Sequence, residues 1–498
     1  MEGGPPTPVD RKVITLKVLV DKAKNRVIFA EADYEFVDIL LSFLTLPIGT
    51  VVRLLDSDST SIGSLTTMYK SVSSLESRRL RTNYCQEMLL NPRNASETEC
   101  SKLKINVYPL EPAKLYRCEL RRVREKLVSC SIGWDRWFST FKDRECPRCK
   151  YRMSLLAKVE DLEDDKAIEG GDGVFVKDGI SRFMITDDLQ VMEASTGACI
   201  SLLQKLGIND GNEVEESHFV FDTQEVIRLL KFALLSKSAL TEAILDVHCS
   251  SKKESVKFQP KRTPQPDKNA SASNTNNMTL KLWVSKSEKK VLYAEAGVDV
   301  VDFLFSTLTY PLGSIIRLLG KKSGFGCVDN LYKSAEDLIN GGYLKSEGCT
   351  KMLVCPKLAP FHSVDNQLLQ IEEVSYPQYV FDSNQNLWVV AVAKTELSSP
   401  TTEESEERRF SAVVMDPKSP TGEVDSGKGY MKGPATYMIL NDLSVAPLSP
   451  IKSVALVNQM NVPLSDVVER VVTIGHNEAL NLLNASLISK TVLSDVFN

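Results

Sequence analysis

At residues 15–55 the chain reads TLKVLVDKAKNRVIFAEADYEFVDILLSFLTLPIGTVVRLL, and at residues 279–319 it reads TLKLWVSKSEKKVLYAEAGVDVVDFLFSTLTYPLGSIIRLL. Twenty of the 41 aligned pairs are identical, and many of the others exchange one apolar side chain for another. The similarity returns further along, where Glu225–Leu245 aligns with Glu478–Asn498. A repeat of this length is too long for a solenoid unit. The sequence therefore indicates a tandem duplication of one module.

Each copy has the same predicted order of elements. Thr15–Val20 and Arg26–Ala32 are rich in β-branched residues and flank a polar stretch, which predicts a β-hairpin. Asp33 can cap a following amphipathic helix, which Pro47 interrupts because proline lacks the N–H and clashes with the preceding turn. An amphipathic helix beginning near Asp222 closes the copy. We predict an α+β fold in two tandem copies, each built in this order.

The predicted domain organisation follows from the duplication. The first module spans residues 13–250, a disordered linker spans 251–277, and the second module spans 278–498. The linker has almost no apolar content, which favours a flexible chain. Each module is long enough to bury a core of its own.

Composition narrows the class of protein. Apolar residues make up 43% of the chain and charged residues 25%, as in ordinary globular proteins, and the net charge of −5 argues against a global attraction to nucleic acid. The most apolar stretch, Phe36–Leu55, contains two charges and a proline, so we expect no membrane insertion. The N-terminus has no apolar core of a signal peptide. With eleven cysteines, an odd number, we expect reduced thiols in the cytoplasm or nucleus.

Several motifs carry a family resemblance. They are Thr15-Leu-Lys-Val-Leu-Val20, Val27-Ile-Phe-Ala-Glu-Ala32, Leu46-Pro-Ile-Gly49, Cys146-Pro-Arg-Cys149 and Met184-Ile-Thr-Asp-Asp-Leu189. With them, nearly the whole chain resembles an uncharacterised plant family called domain of unknown function six-seven-four. The resemblance implies a plant source and a repeated module, and it supplies no activity.

Four cysteines in the first module form the one group with chemical character: Cys118, Cys130, Cys146 and Cys149. The CxxC turn at Cys146 suits two ligands of a tetrahedral zinc ion. Cys118 and Cys130 are a weaker second pair, because eleven residues separate them. The pattern fits one structural zinc ion in the first module and fits free thiols in a loop equally well, whereas a redox dithiol lacks its usual βαβ context.

The segment around these cysteines, residues 114–152, is called the cysteine loop below. It holds 12 Lys/Arg against 5 Asp/Glu, with six aromatic residues interspersed. Basic groups beside aromatic rings suit phosphate contact and base stacking. A solvated basic loop, balanced by the acidic stretch that follows, is the interpretation we favour.

Three charged residues recur at equivalent places in both copies: Glu31, Asp38 and Arg53, with Glu295, Asp302 and Arg317. Such residues can mark a site. We favour a structural ion pair between the hairpin and its helix, with arginine as the partner of a carboxylate.

The sequence contains no HExxH, GxSxG or GxGxxG motif, so we predict no catalytic residues. The leading hypothesis is a soluble, non-catalytic protein-interaction or regulatory module pair with unknown protein partners. A nucleic-acid-binding protein using the cysteine loop is the alternative, and an enzyme of unrecognised class is the third.

Overall fold

The computed structural model describes residues 12–56, 61–118, 121–123, 126–128, 135–157, 159–160, 173–179, 182–245, 277–365, 367–376, 379–382, 387–390, 411–422 and 429–498. The predicted linker at 251–277 lies outside these residues except for Asn277. Helices and antiparallel sheets are mixed along the chain, so the predicted α+β class is confirmed. Below, the first half means the described residues up to 245, and the second half those from 277.

The strands, in chain order, are β1 (Ile14–Asp21), β2 (Arg26–Ala32), β3 (Tyr116–Arg117), β4 (Arg121–Val123), β5 (Lys126–Val128), β6 (Asp135–Phe138), β7 (Arg144–Glu145), β8 (Arg152–Met153), β9 (Leu155–Leu156), β10 (Val159–Glu160), β11 (Phe183–Thr186), β12 (Val191–Glu193), β13 (Val214–Phe221), β14 (Met278–Ser285), β15 (Lys290–Ala296), β16 (Tyr379–Asp382), β17 (Leu387–Val390), β18 (Ser411–Val414), β19 (Tyr437–Leu440), β20 (Val445–Pro447) and β21 (Val467–Ile474).

The α-helices are α1 (Tyr34–Ser42), α2 (Ile48–Asp56), α3 (Leu65–Ser74), α4 (Tyr84–Leu90), α5 (Glu97–Cys100), α6 (Thr196–Lys205), α7 (Thr223–Leu235), α8 (Ala239–Ile244), α9 (Val298–Ser306), α10 (Leu312–Leu318), α11 (Val328–Asn340), α12 (Glu347–Val354), α13 (Pro450–Gln459), α14 (His476–Ile488) and α15 (Val492–Phe497).

Two antiparallel sheets share one strand order, β12-β11-β2-β1-β13 in the first half and β20-β19-β15-β14-β21 in the second. Alternate residues of β1, such as Leu16 and Val18, are buried, because successive side chains of a strand point to opposite faces. Asp33 follows β2 and caps α1, because its carboxylate accepts the Phe36 N–H at 3.2 Å. A third sheet, β10-β17-β16-β18-β6, draws strands from both halves.

The two halves meet at Leu46-Pro47 of the first half and Tyr310-Pro311 of the second, where the backbone turns. The Ile48 N–H donates to the Tyr310 carbonyl and the Leu312 N–H donates to the Leu46 carbonyl, both at 2.9 Å. These two bonds are related by an approximate twofold exchange of the halves. They place α2 against Thr307–Thr309 of the second half and α10 against Phe43–Thr45 of the first.

Helix α3 packs against α2 and α4 of its own half and also against the second half. The Ser64 N–H donates to the Ser486 carbonyl at 2.9 Å, and its hydroxyl donates to the Ser489 carbonyl at 2.7 Å. Further along the helix, the Ser71 hydroxyl accepts the Val445 N–H of edge strand β20 at 2.9 Å. The helix thus satisfies backbone groups of the other half's sheet and closing helix.

Helix α11 makes the reciprocal contacts on the first half. The Cys327 N–H donates to the Ala233 carbonyl at 2.7 Å, and its thiol donates to the Ser236 carbonyl at 3.0 Å. The Ser334 hydroxyl accepts the Val191 N–H of edge strand β12 at 2.9 Å. Each half therefore packs one helix, α3 or α11, against the other half.

This exchange merges the apolar residues of both halves into one large cluster. Phe36 and Phe303, on the equivalent helices α1 and α9, belong to it together with Leu331 of α11 and Val72 of α3. Helix α11 packs against α1, and α3 packs against α9. We propose that residues 13–250 and 278–498 are the units of a repeat that folds as one body.

The first prediction concerns the two halves produced as separate polypeptides. When residues 1–250 and 278–498 are co-expressed with a tag on the first only, both should copurify in equal amounts and unfold cooperatively, because each completes the other's core. Either polypeptide alone should lack a cooperative transition in denaturant. A half that unfolds sharply on its own would contradict the exchange.

The second prediction concerns Gly326, which lies two residues before α11 and has φ +58°. A Cβ there would lie 2.2 Å from the Ala233 carbonyl oxygen of the other half. Gly207 is a matched control, because its φ is +77° but no atom lies within 4 Å of an added Cβ. We expect Gly207→Ala to cost about 1 kcal/mol of unfolding free energy and Gly326→Ala several times more. Equal losses in chemical denaturation of the full chain would show that this contact does not matter.

Candidate metal centre

Short strands position the cysteines of the cysteine loop. β3 pairs with β9, with Tyr116 opposite Leu156, and Cys118 follows β3 directly. β7 pairs with β8, with Arg144 opposite Met153, and the Cys146–Cys149 turn connects them. The two ladders bring the turn and Cys118 together.

The turn at Cys146, called the knuckle below, is a tight reversal closed by two backbone hydrogen bonds. The Lys150 N–H donates to the Cys146 carbonyl at 2.9 Å, and the Cys146 N–H donates to the Tyr151 carbonyl at 2.8 Å. Lys150 has φ +61°, which lets the chain reverse tightly after the second cysteine. Both sulfur atoms of the CxxC turn can therefore face one point.

Cys118, Cys146 and Cys149 converge: their sulfur atoms all lie within 4.8 Å of one another. Cys118 and Cys146 are buried and Cys149 is partly exposed. Their apolar surround is a small cluster containing Met153 and Met415, the latter from the second half. Three of the four predicted ligands are thus brought together.

Cys146 is the centre of the group. Its sulfur accepts a hydrogen bond from the Cys118 thiol and further ones from the backbone N–H groups of Cys149 and Arg148. These donors hold the pKa of the Cys146 thiol far below its usual value, although burial opposes the shift. The surroundings therefore favour a thiolate, the form that binds metals.

The fourth predicted ligand, Cys130, lies outside the described residues. The hairpin between Cys118 and Cys130 is described in part, with Arg121 of β4 opposite Val128 of β5. The chain reverses direction within the eleven-residue gap. That spacing, which made a poor CxxC pair in sequence terms, is the spacing of a hairpin.

The described basic side chains near the Cys146–Cys149 turn differ in their exposure to solvent. Lys142, Arg148, Lys150 and Arg152 are exposed near the turn. Arg144 is buried, where it donates to the Ser419 carbonyl at 2.6 Å and lies over the Tyr84 ring. Its charge belongs to the packing between the halves.

The aromatic residues of the loop are mostly inside. Phe138 is buried and Trp137 and Phe141 are half-buried, whereas Tyr151 is 44% exposed. Trp134 lies outside the described residues. Among the described aromatic rings of the loop, Tyr151 is the one that best combines exposure with neighbouring cations.

Within the described residues, Asp38 and Asp302 do not form the ion pairs with Arg53 and Arg317 that we expected. Asp38 accepts the backbone N–H groups of Val174–Val176, and Asp302 accepts those of Tyr430–Met431. Arg53 donates to the Asn91 side chain instead. Both carboxylates bind loop backbone instead, because a carboxylate can gather several N–H groups that a buried loop would otherwise leave unpaired.

The chain was compared with known proteins. A family model described as protein of unknown function (DUF674) matches residues 10–477. No curated protein and no solved structure matches. In the described part of the chain, no helix is both long and apolar enough to cross a membrane.

A third prediction concerns Asp302, whose burial raises its pKa to about 7 against the two N–H groups that lower it. The folded state then binds this proton more tightly than the unfolded chain. The stability it contributes is present below about pH 4 and is lost as pH rises through about 7. Asp302→Asn keeps an acceptor oxygen and cannot titrate. Chemical denaturation from pH 4 to 8 should show wild type losing stability relative to the variant, and parallel profiles would contradict this.

Proposed function

The chain belongs to the family of proteins of unknown function DUF674, and we propose that it is a non-catalytic interaction protein with one structural zinc ion in its first half. The observation that carries the proposal is the convergence of three thiols within 4.8 Å on a knuckle turn. The proposed ligands are Cys118, Cys146, Cys149 and Cys130.

The donor set suits zinc. Thiolates select zinc over harder cations such as Mg²⁺ and Ca²⁺. Zn–S bonds of about 2.3 Å in a tetrahedron put sulfur atoms about 3.8 Å apart. Sulfur atoms already within 4.8 Å need only a small closure. We take Cys130 as the fourth ligand from the sequence, and the antiparallel pairing of β4 with β5 supports this choice.

Four protein thiolates favour a structural ion over a catalytic one. A catalytic zinc keeps a position open for water or substrate, whereas a four-cysteine site is closed. Bound zinc would hold the β3–β9 and β7–β8 ladders, whose strands are only two residues long. Ladders this short are marginal in water without such a tie. The large core cluster does not include the three cysteines, so it does not depend on the metal.

The knuckle presents a surface to a partner. Arg148, Lys150 and Arg152 are exposed around Tyr151, and one carboxylate, that of Glu145, lies 4.0 Å from the Lys150 ammonium. Such a surface favours an anionic partner, so single-stranded nucleic acid is the second candidate, with phosphate contacts from the cations and stacking on the ring. Fluorescence anisotropy with a single-stranded RNA at two salt concentrations tests it, since phosphate contacts give a steep salt dependence. Equal binding at both concentrations would argue against it.

The fourth prediction is one zinc ion per full-length chain purified without chelator. Cys146→Ser should remove it, because this sulfur is the centre of the group. Cys355→Ser is the matched control, since Cys355 is exposed and is not part of the cluster, and it should keep full zinc content. Elemental analysis gives the stoichiometry, and Co²⁺ substitution should give thiolate charge-transfer absorption.

Chelation should open the cysteine loop and leave the main unfolding transition in place, as expected when the core is separate from the site. Wild type without metal, or Cys146→Ser with a full equivalent, would overturn the zinc proposal. Loss of the main transition on chelation would show that the metal supports the core.

A further inference from the structure

A cleft of about 590 Å³ lies where the cysteine loop meets both halves. The first half contributes α4 and the segments after it, and the second half contributes residues 359–362 and 374–376. Its volume is in the range of sites that bind small molecules. Its place between three parts of the chain is also typical of such sites.

The walls combine apolar and aromatic side chains with polar and charged ones. Leu115, Phe141 and Leu156 form the side toward the cysteine loop, and Phe361 lies on the second-half side. The Phe361 ring stacks on Tyr376 with centroids 5.4 Å apart and an interplanar angle of 25°. Walls of this kind favour a ligand with a flat apolar body.

Arg93 supplies the directional polar contact. Its Nη1 donates to the Glu97 carboxylate at 3.1 Å and to the Glu111 carbonyl. The other Glu97 oxygen accepts the Ala113 N–H at 2.7 Å, so that carboxylate is fully engaged. The guanidinium also lies within hydrogen-bonding reach of the Tyr108 hydroxyl, and within the described residues no carboxylate other than Glu97 pairs with it. A guanidinium edge with two parallel donors matches a carboxylate.

His362 also lines the cleft, but its ring is occupied. Nδ1 lies 2.9 Å from the Pro360 carbonyl, and Nε2 accepts the Arg93 backbone N–H at 3.5 Å. Burial lowers the pKa of His362 to about 4, so the ring is neutral. Both nitrogens hold the loop, and neither is placed to move a proton. His362 is therefore a structural residue of the cleft wall.

We propose that this cleft binds a small, flat and mostly apolar monocarboxylate. The carboxylate pairs with the Arg93 guanidinium, and the apolar body lies against Phe361, Phe141 and Leu156. We specify a single negative charge, because Arg93 and Lys114 line the cleft together with Glu87 and Glu97, and Glu97 already offsets part of the Arg93 charge. The proposal does not depend on the zinc site.

Titration calorimetry on the full-length protein tests this with three probes of one shape: 2-naphthoate, 2-naphthamide and 2-naphthylmethylammonium. We expect the carboxylate to bind at least about tenfold more tightly than the amide, as charge-assisted hydrogen bonds allow. The ammonium probe should bind most weakly. A carboxylate no tighter than the amide, or an ammonium probe that binds best, would overturn the proposal.

Two variants locate the binding. Arg93→Met should bring the naphthoate affinity down to that of the amide, about tenfold or more, and leave the amide within about threefold. Arg78→Met is the matched control, because Arg78 is exposed, pairs with Glu76 and does not line the cleft. It should change neither affinity.

Leu156→Asp keeps the test valid if loss of Arg93 disturbs folding. Leu156 is 55% exposed, so a polar replacement opens no core, and the added negative charge faces the cleft. Naphthoate binding should weaken and naphthamide binding should change less. Naphthoate affinity that is unchanged in both Arg93→Met and Leu156→Asp would place the binding elsewhere and refute the assignment.

Discussion

The reciprocal hydrogen bonds between the Leu46-Pro47 and Tyr310-Pro311 turns are the contact on which the arrangement of the two halves depends. Gly49 and Gly313 make the approach feasible. A Cβ on either would lie about 3 Å from carbonyl oxygens, those of Leu308 for Gly49 and of Leu353 and Leu44 for Gly313. Proline ends the preceding helix, and glycine lets the backbones touch. The recurrence of Pro-x-Gly in both repeats thus has a single physical reason.

This contact positions the exchanged helices α3 and α11. Those helices in turn position the cysteine loop and the cleft beside Arg93. With α3 and α11 crossing over, the residues after them are also delivered to the opposite half: Leu80 bridges Met431, and Val176 bridges Leu344. Those segments run beside the loops that Asp38 and Asp302 gather. The cysteine loop then packs between the halves, where Met415 covers its thiols and the cleft opens beside Arg93.

The sequence predicted local structure well and long-range assembly poorly. Apolar alternation and the Asp33 cap place the hairpin and helix, and the CxxC spacing picks out Cys146 and Cys149, because these signals are local. Cys118 is a candidate ligand only because it lies near the CxxC turn in the sequence. The β3–β9 ladder explains why its sulfur lies close to that turn in space. Arg144 belongs to a loop expected to be solvated, yet it is buried. The cleft has no signal in the sequence, because its residues come from both repeats. No periodicity encodes which half a helix packs on.

Whether the two repeats form a single cooperative body is measured most directly by native-state hydrogen exchange. Exchange is followed in increasing denaturant for the buried helices α1 and α9, one from each half. With α11 packed on α1 and α3 on α9, their slowest amides should converge on one unfolding free energy and one denaturant dependence. Two separate isotherms, one for each half, would contradict the exchange of helices and restore a picture of two independent domains.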